Sequence, residues 1–179
     1  MSRVLVLIGS ARKGGNTDLL ARAFADGAGR RHQVELVPAG ELTIRPCTGC
    51  GVCFENADGR CAQQDDMQGI YQKLQWTDTL VIASPVYFYG VSAQLKAMVD
   101  RLHTPMRKSF RVQRLGLILA GAAALPDLFD PILLQYRMIL RFFDLEDIGT
   151  VLVPGVREKG DVLQTDGPRR AYALGAGLE

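Results

Sequence analysis

The 179-residue chain has little of what marks a specialised surface. Its cations exceed its anions by only two, 21 Lys and Arg against 19 Asp and Glu. That surplus gives no electrostatic footprint for nucleic acid or an anionic membrane. No apolar run reaches the roughly 18 residues of a membrane span. Val4–Ile8 is followed at once by Gly9, Ser10, Arg12 and Lys13, too soon for a secretory leader, so a cytoplasmic protein is expected. Histidine is scarce, and neither His32 nor His103 has a Ser, Cys or carboxylate at motif spacing, which disfavours a His–nucleophile pair. Repeats, low-complexity tracts and linkers are missing too. What remains is ordinary globular composition, 47% hydrophobic and 22% charged, in a single domain over 1–179. The exception is cysteine: all four fall between positions 47 and 61. In a reducing compartment such clustering signals metal or redox chemistry more than a disulfide framework.

Five short apolar runs recur: Val4–Ile8, Val34–Val37, Leu80–Ala83, Leu115–Ala120 and Ile148–Val153. Several are continuous instead of alternating, as in parallel strands buried on both faces. Helical patterns separate them, over Thr17–Ala28, Asp66–Leu74, Asp127–Phe143 and a short Pro168–Leu174. Another helix, capped by Ser92, places Leu95, Met98, Val99 and Leu102 on one face. This alternation predicts a doubly wound α/β sandwich, and five strands favour the flavodoxin-like parallel order 2-1-3-4-5. The Asp127–Phe143 helix is apolar on more than one face. It is either a deeply packed core helix or a subunit interface, the second making the protein a homo-oligomer, dimer or tetramer.

Ligands of such sheets lie at the carboxyl ends of the strands. The first loop there, Gly9-Ser10-Ala11-Arg12-Lys13-Gly14-Gly15-Asn16-Thr17, opens a helix. Its glycines permit close approach, Ser10, Asn16 and Thr17 offer hydrogen bonds, Arg12 a forked cation, and the helix start a partial positive charge. Those are the parts of a phosphate cradle. The alternative is a polar loop capped by Asn16 or Thr17. Gly15-Asn16-Thr17 lacks the Walker lysine, G-x-G-x-x-G is absent, and no nucleophilic cysteine or acidic pair ends the strand. The loop is therefore expected to hold a phosphate without attacking it. After the third strand comes Ser84-Pro85-Val86-Tyr87-Phe88-Tyr89-Gly90. Pro85 stiffens it, Gly90 permits a sharp exit, and three aromatics predict a flat wall for a planar heterocycle. The alternative is an aromatic loop packed under a helix.

The cysteines run Cys47-x2-Cys50-x2-Cys53, then Cys61 after seven residues, within a loop over 46–62. Three at this spacing match the compact wrap around one face of a [4Fe–4S] cluster, and Gly59 lets the fourth reach back. Zinc prefers two separated pairs of ligands, which this layout does not form. A cluster, vacant or oxidisable thiols, and zinc all stay open. Asp65 and Asp66 read as the N-cap and first turn of the next helix.

Gly9-Ser10-x-Arg12-x-x-Gly15-Asn16-Thr17, Ser84-Pro85-Val86-Tyr87 and Ser92-Ala93-Gln94-Leu95-Lys96 with Asp100-Arg101 resemble the NAD(P)H-dependent FMN reductases of the flavodoxin-like superfamily. The resemblance covers most of the chain to about residue 120. It implies that Ser10, Arg12, Gly15, Asn16 and Thr17 bind the FMN phosphate. By the same resemblance Pro85, Val86, Tyr87, Phe88 and Gly90 line the isoalloxazine, largely through backbone groups, with a third contact at Ala120-Gly121-Ala122. Lys96, Asp100 and Arg101 read as structural capping and ion pairing. The cysteine segment resembles the motif of iron–sulfur flavoproteins, a branch of the same superfamily. That implies Cys47, Cys50, Cys53 and Cys61 as ligands of a [4Fe–4S] cluster passing electrons to FMN. The seven-residue gap before Cys61 is longer than in that branch.

Three functions follow as expectations. The first is an FMN oxidoreductase taking hydride from NAD(P)H and passing it to a small-molecule acceptor such as flavin or quinone, with the cofactor and no protein acid or base doing the chemistry. The second is a relay of single electrons from a ferredoxin-like donor through a cluster to FMN. The third is an FMN- or metal-sensing module without turnover.

Overall fold

Strands that are apolar along their whole length need helices on both faces, and the chain folds that way in the computed structural model, which describes residues 1–179. β1 (Arg3–Ile8), β2 (Gln33–Pro38), β3 (Thr79–Pro85), β4 (Arg114–Ala120) and β5 (Glu146–Val153) form one parallel sheet in the order β2-β1-β3-β4-β5. The expected topology is observed. The helices are α1 (Asn16–Ala28), α2 (Val52–Glu55), α3 (Met67–Leu74), α4 (Ala93–Asp100), α5 (Asp130–Phe143) and α6 (Gly167–Ala176). No helix is long and apolar enough to cross a membrane.

The two-residue period of the strands divides the core. Val4, Val6 and Ile8 pack with Leu20 and Phe24 of α1 and Ala171 of α6. Leu5 and Leu7 face the other way, toward Met67 and Tyr71 of α3, Leu95 and Met98 of α4, and Ile132 and Tyr136 of α5. On the first face α1 and α6 touch backbone to backbone. A Cβ on Gly27 would collide with the Tyr172 carbonyl, and one on Gly175 with the Phe24 carbonyl, so no larger residue fits either position. His32 is a structural staple: its Nδ1 accepts from the Ser2 amide at 3.2 Å and its Nε2 lies 3.2 Å from the Leu178 carbonyl.

Most element ends fall within one or two residues of expectation, and three differences have a local cause. β5 starts at Glu146, two residues early, because Ile148 is an extra residue where the β4–β5 register slips. α5 starts at Asp130, since Leu125–Phe129 makes turns before it. α2 is a single turn inside the cysteine loop that carries no periodic signal.

Candidate functional site

In the order β2-β1-β3 the chain winds away in opposite directions from β1, and in sheets of this kind ligands bind at such a switch point, here the ends of β1 and β3. The loop of residues 9–17 leaves one side of it. A Cβ on Gly9 would meet Ser92 Oγ at 2.7 Å, so only glycine lets β1 end this close to α4. The loop turns on itself: Gly15 donates to the Arg12 carbonyl at 2.9 Å, and the Arg12 amide to Ser10 Oγ at 3.1 Å. α1 then begins at Asn16 with Gly15 as its N-cap and no side chain capping it. An uncapped helix start offers first-turn N–H groups and a partial positive charge to an anion. Arg12 is exposed beside it and Thr17 is buried.

The Asn16 side chain is already engaged. Its Nδ2 donates to the Glu158 carbonyl (2.9 Å), and its Oδ1 accepts from the amides of Gly160 (3.1 Å) and Val162 (3.2 Å). Asn16 thus clips the loop that follows β5 onto the phosphate loop. That contact brings in Lys159, which sequence reasoning missed: its Cε and Nζ lie 3.0 and 3.3 Å from where a Cβ on Gly14 would sit. Nothing in the sequence relates positions 14 and 159.

The opposite wall is the loop of residues 84–92. Ser84 is fully buried, and its hydroxyl accepts from the Ser92 amide at 3.0 Å while donating to the Pro85 carbonyl at 2.8 Å. The Val86 amide donates to the Ala120 carbonyl at 2.8 Å, which fastens the loop to the end of β4. Tyr87 and Gly90 exchange two backbone hydrogen bonds, 2.9 and 3.0 Å, around Phe88 (φ 48°) and Tyr89 (φ 64°). Two successive left-handed residues make a type I′ turn, and L-residues with bulky side chains adopt it only under strain. The turn projects Phe88 to 97% exposure, with Tyr87 and Tyr89 about half exposed. The rings do not form the expected flat wall: Phe88 and Tyr89 touch, with centroids 5.8 Å apart, but are tilted by 60°.

Gly121, the third predicted contact, sits at the end of β4 with its amide on the Val153 carbonyl and its own carbonyl accepting from Val156, both at 2.9 Å. Its backbone is spent joining two loops of the rim. A Cβ there would also meet the Leu128 side chain, which would have to shift to admit a larger residue.

The four cysteines occupy a separate loop after β2. All are free thiols, Cys47 and Cys50 exposed, Cys53 and Cys61 half-buried. Gly49 and Gly51 are left-handed with open space around them. Burial pushes the Cys53 thiol up, and the neighbouring Cys61, Cys47 and Cys50 push it further. Hydrogen bonds from the Val52 amide and the Thr48 side chain hold Cys50 below its ordinary value. No three metal-ligating side chains converge on one point, so neither a zinc site nor a cluster site is assembled in the loop as it stands. The donor set itself, four unpaired thiols on an open glycine-hinged loop, suits a larger anionic centre.

Arg101 is the C-cap of α4 and forms an ion pair, as expected, but with a partner distant in sequence. Its side chain is 1% exposed and lies under the cysteine loop, with Nη1 2.6 Å from Asp65 Oδ2. Asp65 also accepts from the amides of Arg45 (3.0 Å) and Met67 (3.2 Å). Burial pushes its carboxyl up, but these hydrogen bonds outweigh burial and hold it below the usual range. Lys96 and Asp100 do pair as expected, four residues apart.

A doubly wound sheet with an uncapped helix start and a rigid aromatic loop facing each other across its switch point defines a mononucleotide-binding flavodoxin-like domain. Residues 2–144 match the family model described as NADPH-dependent FMN reductase, and the chain belongs to that family. An iron-sulfur flavoprotein of Methanocaldococcus jannaschii is 36% identical over 124 residues, 68% of this chain and 63% of that protein. One from Archaeoglobus fulgidus is 37% identical over 107 residues, 57% of this chain and 48% of that protein. The match thus spans about half to three fifths of these archaeal relatives. A Bacillus subtilis protein whose name describes an NAD(P)H-dependent FMN-containing oxidoreductase is 28% identical over 90% of both chains. Among solved structures, the NAD(P)H:quinone oxidoreductase from Methanothermobacter marburgensis superposes with a TM-score of 0.76 at 15% identity over 99% of both chains, a likeness of fold.

Proposed function

We propose that the protein is an FMN-dependent oxidoreductase that accepts hydride from NAD(P)H and passes reducing equivalents to a small-molecule acceptor such as a flavin or quinone. The observation that carries this reading is an uncapped helix start after β1 together with a hydrogen-bonded turn after β3, at the ends of neighbouring parallel strands. Membership of the FMN reductase family supports FMN as the mononucleotide bound there. FMN, when bound, supplies the hydride and electron chemistry. The protein's part is to bind and orient. Arg12 and the amides of Asn16 and Thr17 neutralise and hold the phosphate, with Ser10 and Gly15 shaping the turn. Pro85, Val86 and Gly90 present a stiff backbone edge to the ring, and Tyr87 and Phe88 screen it from water. No protein acid or base is assigned.

A second reading has its own support in the cysteine loop and in the names of the archaeal relatives. Cys47, Cys50, Cys53 and Cys61 would hold a [4Fe–4S] cluster, which supplies one-electron transfer, and the donor would be a ferredoxin-like protein. The exposed stripe Leu134, Met138 and Phe142 on α5, one turn apart along the helix, is the surface offered for a homo-oligomer. Anaerobic mixing tests the two readings. Bleaching of bound flavin by NADH or NADPH supports the reductase; bleaching only by a reduced ferredoxin supports the relay; bleaching by neither donor refutes both.

A further inference from the structure

The chain buries one guanidinium, and it does so beneath the cysteines. Arg101 stands at the C-terminal end of α4, and withdrawing such a cation from water costs several kcal/mol unless its hydrogen bonds are complete. They are not. Nη1 donates to Asp65 and to the Arg45 carbonyl (3.1 Å), Nη2 lies 3.6 Å from Cys61 Sγ, and Nε has no partner. A neutral thiol is a weak acceptor, whereas an anionic sulfur is a strong one. Arg45 precedes the first cysteine, while Cys61 and Asp65 close the segment. The three contacts of Arg101 therefore gather both ends of the loop and leave 47–53 free to fold over whatever it holds.

We propose that Arg101 is a positioning residue of the cysteine site: it fixes the two ends of the 45–65 segment and directs a buried positive charge and an N–H donor at the Cys61 sulfur, favouring the more reduced, more negative state of an anionic sulfur centre bound there. The inference rests on the reading of the four cysteines as cluster ligands. Hydrogen bonds to ligand sulfurs and nearby charge set the reduction potential of such centres. Asp65 keeps the guanidinium aimed and offsets much of its charge, leaving the Nη2 donor directed at the sulfur.

The test uses the full chain loaded with FMN and reconstituted anaerobically with ferrous iron and sulfide, as native protein and as the Arg101→Gln and Arg101→Lys variants. The cluster is followed by electron paramagnetic resonance through a redox titration, with melting temperature measured alongside. The Gln variant is expected to titrate at a more negative potential. At the ambient potential that half-reduces the native cluster, its ratio of reduced to oxidised centres falls about tenfold. Lysine restores part of the shift, since charge remains but the fork is lost. An unchanged midpoint with only a lower melting temperature overturns the proposal and leaves Arg101 a clamp. If the Gln variant takes up no iron, Asp65→Asn decides. Removing that carboxylate leaves the guanidinium charge unbalanced, so the midpoint must move positive, and a stationary midpoint overturns the proposal. Native protein that takes up no iron would instead refute the cluster reading and carry the inference down with it.

Discussion

Asn16→Ala separates a loop clip from a phosphate ligand. The substitution removes three hydrogen bonds between the start of α1 and the loop after β5. Val162 is fully buried, and its amide is left without an acceptor, at a cost of about 1–3 kcal/mol. The Gly160 amide and the Glu158 carbonyl can turn to water and lose about 0.5 kcal/mol each. The sum, about 2–4 kcal/mol, corresponds to a melting-temperature drop of about 4–16 °C for a chain of this size. Thermal unfolding of the FMN-free protein by circular dichroism reads it directly. FMN binding should loosen as well, because Lys159 leaves Gly14 when its loop is released. If FMN-free Asn16→Ala melts within about 1 °C of native protein while FMN affinity falls, the clip is wrong and the side chain serves the ligand alone.

Arg12→Ala should weaken FMN about tenfold or more by removing a charge-assisted contact, while leaving the affinity for riboflavin, which has no phosphate, unchanged; fluorescence titration of both ligands compares them. Replacing Phe88→Asn together with Tyr89→Gly supplies residues that suit a type I′ turn, and relief of strain should raise stability by about 1–2 kcal/mol in urea while FMN affinity falls. Asp65 has a folded-state pKa below its ordinary 3.8, so its contribution to stability is complete above that value and is lost as pH falls through the folded pKa. Asp65→Asn should thus be less stable than native protein near neutrality, and the gap should close on acidification below about 3.8; a gap that persists there would contradict the assignment.

The parts of this molecule readable in sequence are those in which local pattern and tertiary role coincide. Continuous runs such as Leu80–Ala83 have nowhere to go but the middle of a parallel sheet. Ser92 accepts a hydrogen bond from the Leu95 amide, as its place before an amphipathic run implies. What escaped reading depends on partners distant in sequence. Asn16 looks like a donor for a ligand because its real partners lie more than 140 residues away. Arg101 looks like a helix-end cation because Asp65, 36 residues earlier, reads equally well as a cap. The I′ turn carries Phe88-Tyr89 in place of Asn-Gly, so its usual signature is missing. The extra residue at Ile148 shows only in register, opposite Gly116, whose missing Cβ leaves room for that side chain.

The most direct test of the central claim is the visible spectrum of protein purified without oxygen, recorded before and after dithionite. The account predicts flavin bands that bleach on reduction, riding on a broad brown absorbance if the cysteines hold their cluster. A colourless protein that also fails to bind added FMN would contradict it.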